Sequence, residues 1–110
     1  MTFDEYQKRA LTTLISHPDP LMDKTIFVMG IAGEAGEVLE KWKKIVAYKD
    51  GVITDTDKAE LGKELGDVIW YIAVMADSLG LSLDELMEQN LAKLASRKAR
   101  NTQKGAGDNR

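Results

Sequence analysis

The sequence predicts an all-α protein of four helices, packed as a bundle and assembled as a homo-oligomer. Two observations carry the fold class: strand signals are nearly absent, and capping residues and prolines divide the chain into four segments whose apolar residues recur at helical spacing. A third carries the assembly. At 110 residues the chain suggests one domain. A core of that size is thin, and its apolar content is spread along long helices, so association with a second copy would help to bury it.

The elements follow in order. Thr2 with Glu5 makes a capping box for a first helix reaching about Ile15. The run SHPDP ends it, because Pro18 and Pro20 cannot continue a helix. Asp19, before Pro20, caps a second helix running to about Ala47, which can bend at Gly30, Gly33 and Gly36. YKDGVITDTD is a loop with an Asp50-Gly51 turn. Asp57 is the expected N-cap of a third helix ending at Gly80. Ser82 with Glu85 makes another capping box, for a fourth helix through about Arg97. Residues 1–98 therefore read as a single helical domain. Residues 99–110, ARNTQKGAGDNR, lack large apolar side chains and are expected to be a flexible tail or one ordered over a ligand.

Composition narrows the function. The chain is 44% hydrophobic and 30% charged, as ordinary globular proteins are. It has no cysteine, so disulfide and thiolate chemistry are excluded. That fits a reducing compartment, and the expected location is cytoplasmic. No apolar run approaches a membrane span, and MTFDEYQKRA does not read as a signal peptide. The net charge of −3 argues against nucleic acid as the main partner, although the tail has a short basic run.

The informative residues are acids. GIAGEAGEVLEKWKKI and ELGKELGDVIWYIAVM each carry two carboxylates three residues apart: Glu34 with Glu37, and Glu64 with Asp67. At roughly 100° per residue, the third helix shows an apolar stripe of Leu61, Leu65, Val68, Ile69, Ile72, Met75 and Leu79. Glu64 and Asp67 border that stripe, with Tyr71 in line one turn on. The second helix repeats the pattern, with Glu34 and Glu37 bordering Val38, Leu39, Trp42, Ile45 and Val46. Helices packed through these stripes bring four carboxylates into one partly buried cleft.

Such a group repels itself, and burial raises its pKa values. Lys41, one turn from Glu37, can offset part of the charge, and it is also expected among the substrate-binding residues. A divalent cation would neutralise the group, and all-oxygen ligation suits Mg²⁺ or Mn²⁺. Zinc is disfavoured, since the single histidine, His17, lies in the proline-rich loop. Gly36 and Gly66 each cost about 1 kcal/mol relative to alanine in a helix interior. They would clear space beside the acids for a close helix or an anionic ligand. On the fourth helix Leu83, Leu86, Leu91 and Leu94 define the expected buried face. Asn90 falls within it, and Lys93 and Arg97 follow on the same line. Phosphate oxygens would suit these groups. The alternative is a structural amide with two snorkelling cations.

GEAGEVLEKWKK, KELGDVIWYIA, NLAKLASRKAR and the closing GAGDNR resemble the MazG-like nucleoside triphosphate pyrophosphohydrolases, an all-α family, from about Gly30 to the C-terminus. The family pattern is E-E-x-x-E, a spacer, then E-x-x-D. Here its first acid is Gly33, and the others are Glu34, Glu37, Glu64 and Asp67. The resemblance implies hydrolysis of a (deoxy)nucleoside triphosphate between the α and β phosphates, giving a monophosphate and pyrophosphate, in nucleotide-pool house-cleaning. It implies that Glu34, Glu37, Glu64 and Asp67 are the catalytic acids and hold Mg²⁺; one of them not saturated by metal, such as Glu37, can accept the proton of the attacking water. It further implies that Lys93 and Arg97 bind phosphates, that Asn90 bonds phosphate or sugar, that Tyr71 lies near sugar or base, and that sites are shared in a homodimer or dimer of dimers. Trp42 is expected in the core. Trp70 and Val74 are expected to form a second apolar face at a subunit interface.

Two rivals come from other classes. A di-iron carboxylate bundle needs Glu-x-x-His pairs, and no helix has one. A non-catalytic helical interaction module would leave the acids as a solvated face.

Overall fold

The computed structural model describes residues 1–110 as four helices and no strand: α1 (Phe3–Leu11), α2 (Pro20–Lys49), α3 (Asp55–Ser78) and α4 (Leu83–Ala99). The expected caps form at three starts. Thr2 and Glu5 make a reciprocal capping box, Asp19 accepts from the Leu21 N–H, with Pro20 at the first helical position, and Ser82 accepts from the Glu85 N–H but without the return bond from Glu85 that a full capping box has. At α3 the expectation is corrected. Thr54 is the N-cap, and Asp57 is the third helical residue, its carboxylate returning to the Thr54 N–H at 3.0 Å. An extended Thr with an acid three residues on outranks Asp57 alone.

α1 stops at Leu11, short of Ile15. Thr12 and Thr13 turn their hydroxyls back onto the carbonyls of Arg9 and Ala10, at 2.6 and 2.7 Å, which diverts the backbone from helix. α2 runs unbroken through its three glycines and ends two residues past Ala47. There Asp50 and Gly51 both adopt left-handed backbone, with φ of 52° and 75°, making the expected turn.

α2 and α3 form a long antiparallel hairpin, the main packing surface of the chain. α1 lies on α3, and α4 packs on α1 and the end of α3. α3 and α4 meet at a 103° bend, and α4 makes no contact with α2. The core sits where α1 crosses the hairpin: Ala10, Phe27 and Val74, ringed by Tyr6, Leu11, Leu14, Trp70, Tyr71 and Met75. Gln7 locks the corner from inside. Its amide donates to the carbonyls of Ala73 and Leu81, and its oxygen accepts from the Leu83 N–H at 3.1 Å.

The apolar stripes are more exposed than their periodicity suggests. Ile45 is buried, but Leu39, Trp42 and Val46 on α2, and Leu65 and Ile69 on α3, remain on the surface. Trp42 is 45% exposed and is not a core residue of the single chain. On α4 only Leu83 of the expected leucine face is buried; Leu86, Leu91 and Leu94 face outward, and so does Asn90. The face of Trp70 and Val74 is instead covered by α1. Val74 is fully buried, and Trp70 donates its indole N–H to Thr13 Oγ1 at 2.9 Å. No single helix is long and apolar enough to cross a membrane.

The C-terminal residues fold back along α4. Arg110 braces this hook from within, donating to the carbonyls of Thr102, Gln103 and Gly107.

Candidate metal centre

Helical spacing places Glu34 on the inner edge of α2, opposite Glu64 and Asp67 on α3. One carboxylate oxygen from each lies within 4.8 Å of the others. Glu34 and Glu64 are half-buried and Asp67 is exposed, so the trio opens from the hairpin groove towards solvent. The Glu34 carboxyl is held above the ordinary carboxylate range. Partial burial is the largest cause, followed by the charges of Asp67, Glu64 and Glu37.

Glu37 is not a member of the trio. It is exposed one turn further along α2, near enough for its charge to act on Glu34. Lys41 does not serve Glu37, as its spacing suggests. Its ammonium crosses the hairpin to Glu64 at 3.4 Å and Glu60 at 3.6 Å. The donor set fits a hard divalent cation. Every ligand is a carboxylate oxygen, and the repulsion that adds to burial in lifting Glu34 is what a dication relieves.

Tyr71 stands one turn beyond Asp67, its ring close against Gly30, where a Cβ would overlap it. Beyond it lies a cavity of about 440 Å³ whose lining includes Phe27, Trp70, Tyr71, Ile26, His17 and Asp23. His17 accepts the Asp19 N–H on Nδ1 at 2.9 Å. Apart from the neighbouring backbone of its own helix, nothing lies within 4 Å of where a Cβ at Gly33, Gly36 or Gly66 would stand, so the space beside the acids is open.

Asn90, Lys93 and Arg97 do not join the acids within one chain. They cluster with Asp108 on the far side of the bend. Asp108 accepts from Lys93 at 2.7 Å and from Arg97 at 3.1 Å, and Asn90 and Lys93 help line a cavity of about 280 Å³. Sequence reasoning missed two residues near the acids. Glu60 shares Lys41. Tyr6 on α1 has its phenol pushed up by partial burial and by the charge of Asp67. Glu60 lies four residues before Glu64 and could have been noticed. Tyr6 reaches the site only through the α1–α3 crossing, which no local pattern encodes.

The model of the MazG nucleotide pyrophosphohydrolase domain matches residues 24–101. The chain belongs to the MazG nucleotide pyrophosphohydrolase family. The match spans the acid trio, Lys41, Tyr71 and the α4 cations, so the MazG-like resemblance of the sequence holds. The chain is 44% identical to the "Gene 37 protein" of Mycobacterium phage L5, over the whole of both chains. It is 48% identical to the "Uncharacterized protein YvdC" of Bacillus subtilis (strain 168), over 36% of this chain and 38% of that protein. No solved structure matches. At family level the MazG domain carries nucleotide pyrophosphohydrolase activity, typically with a divalent metal, and the chemistry of the acid trio suits such an ion.

Proposed function

We propose that this chain hydrolyses (deoxy)nucleoside triphosphates between the α and β phosphates, releasing a monophosphate and pyrophosphate, with Mg²⁺ or Mn²⁺ held by Glu34, Glu64 and Asp67. The observation that carries the reading is the trio itself: three carboxylates from facing helices within 4.8 Å, with Glu34 lifted first by partial burial and then by the charges of its neighbours. A bound dication supplies charge neutralisation at the triphosphate oxygens. Glu37, outside the trio and open to solvent, accepts the proton of the attacking water and completes the acid set from its edge. Lys41 holds Glu64 in place and adds positive charge beside the phosphates. Tyr71 and the aromatic cavity beyond it take the sugar and base, one to two helical turns from the acids.

Lys93, Arg97 and Asn90 complete the phosphate site from a second copy of the chain, in a homodimer or dimer of dimers. Three features support this assembly: α4 never reaches α2, Leu91 and Leu94 lie open beside the cations, and the glycine faces at Gly36 and Gly66 are uncovered. The expected setting is cytoplasmic house-cleaning of the nucleotide pool.

The test is incubation with Mg²⁺ and a panel of canonical and modified NTPs and dNTPs, with products resolved by chromatography. Monophosphate plus pyrophosphate is expected. Diphosphate plus orthophosphate would contradict the cleavage position, and full turnover by Glu34→Gln would contradict the site.

A further inference from the structure

The C-terminal hook presents an acid to the two cations of α4. Asp108 Oδ1 accepts from both Lys93 Nζ and Arg97 Nη2, and the Asp108 carbonyl takes a further bond from Arg97 Nη2 at 2.5 Å. Arg97 is 5% exposed, and its Nε–H is buried without a partner. One carboxylate and one carbonyl therefore leave the guanidinium incompletely satisfied. An unpaired buried donor is costly. A phosphate offers more charge and more acceptor oxygens than Asp108.

The hook is braced from within. Its internal bonds are those from Arg110 to Thr102, Gln103 and Gly107, together with left-handed backbone at Gly107. None of these depends on the cations. The join to α4 is Asn101, itself at a φ of 54°. Just beyond that join the Thr102 N–H is held by the Arg97 carbonyl at 2.8 Å, and further on Asp108 and a bond from Arg100 to the Arg110 carbonyl tie the hook to the helix. The Asp108 side chain is 75% exposed.

We propose that the hook is an internal latch: in the free protein Asp108 fills the Lys93–Arg97 anion site, and a polyphosphate displaces it, releasing the hook beyond Thr102. This rests on the reading that Lys93 and Arg97 bind phosphates. It makes the latch a competitor that lowers apparent affinity by the fraction of time it is closed.

The experiment uses the full chain, magnesium and inorganic pyrophosphate. Asp108→Asn keeps the shape and removes the charge. Calorimetry is expected to show pyrophosphate binding about five- to tenfold tighter to the variant than to wild type. In wild type, pyrophosphate is expected to speed tryptic cleavage at Lys104, because the hook is released. This second measurement needs no variant to fold. If wild type binds pyrophosphate but the variant binds no tighter, or if pyrophosphate protects Lys104, the latch is overturned while the phosphate site stands. If neither protein binds pyrophosphate, the phosphate reading of Lys93 and Arg97 falls, and the latch falls with it.

Discussion

Lys41 on α2 places its ammonium 3.4 Å from the carboxylate of Glu64 on α3, across the hairpin rather than along its own helix. It is the one cation paired with a member of the acid trio, so it offsets the repulsion when no metal is bound. Lys41→Met is expected to lower the melting temperature of the metal-free protein, by an amount equivalent to about 0.2–1 kcal/mol for a partly exposed pair. Saturating Mg²⁺ should close most of that gap, because the dication takes over the same role. Melts in chelator and in magnesium check this, and a deficit that widens with metal would refute it.

Glu34→Gln separates stability from activity. A carboxyl with a raised folded-state pKa stabilises the fold in its protonated form. Its contribution is present at acid pH and lost as pH rises through the folded pKa. In metal-free wild type at neutral pH, ionised Glu34 is therefore a liability that glutamine removes. The variant is expected to melt above wild type at pH 7 in chelator, with the difference vanishing towards pH 4. Turnover should fall by roughly a hundredfold or more, as expected when a metal-site residue is lost. A variant less stable than wild type at pH 7 would show that the trio is not repulsive.

The start of α3 has the opposite pH signature. Lys49 at 2.7 Å, then the Thr54 N–H, lower the Asp57 pKa from 3.8 to about 2. A depressed carboxylate pKa gives stability that is present above the unfolded value and lost as pH falls towards the folded one. Asp57→Asn should be less stable than wild type at pH 7, and the difference should shrink from pH 4 downwards. Thr54→Ala removes the cap itself and should cost about 1 kcal/mol at any pH. Urea titrations across that range distinguish the two.

What could be read from the sequence is what local chemistry decides. The caps at Thr2, Asp19 and Ser82 depend on neighbours within three residues. The convergence of Glu34, Glu64 and Asp67 depends only on helical period and on two stripes facing each other. Lys41 was misassigned because its choice between Glu37 and Glu64 is made by the hairpin crossing, not by spacing. Trp70 and Val74 were misplaced because α1 returns to cover them from 57 residues away, where Thr13 meets the indole. Trp42, Leu91 and Leu94 carry apolar periodicity without burial in one chain, since no other element of the chain covers them.

Two glycines on α2 should respond in opposite directions. At Gly30 a methyl group would enter the ring of Tyr71, whereas at Gly33 it would meet nothing. Gly30→Ala is expected to cost about 1–3 kcal/mol as an overpacked contact. It should also raise KM, because it displaces the ring one turn from Asp67. Gly33→Ala should gain up to about 1 kcal/mol from helix propensity. Parallel melts decide it, and shifts of the same sign in both variants would contradict the close approach at Gly30.

Gln7 has no part in the chemistry, yet it sets where α4 leaves the hairpin. Its buried amide bonds the carbonyls of Ala73 and Leu81, and its oxygen takes the first N–H of α4 at Leu83. Leucine is similar in size but makes none of these bonds, leaving the Leu83 N–H and the Leu81 carbonyl buried or half-buried without a partner. Gln7→Leu is therefore expected to destabilise by about 1–3 kcal/mol. The loss should be local first: hydrogen exchange at the Leu83 amide should accelerate well before exchange along the α2–α3 hairpin. Because the corner aims Lys93 and Arg97, KM for a triphosphate should rise more than kcat falls. Uniformly faster exchange along α2 and α3 would place Gln7 in the global core instead of at the corner.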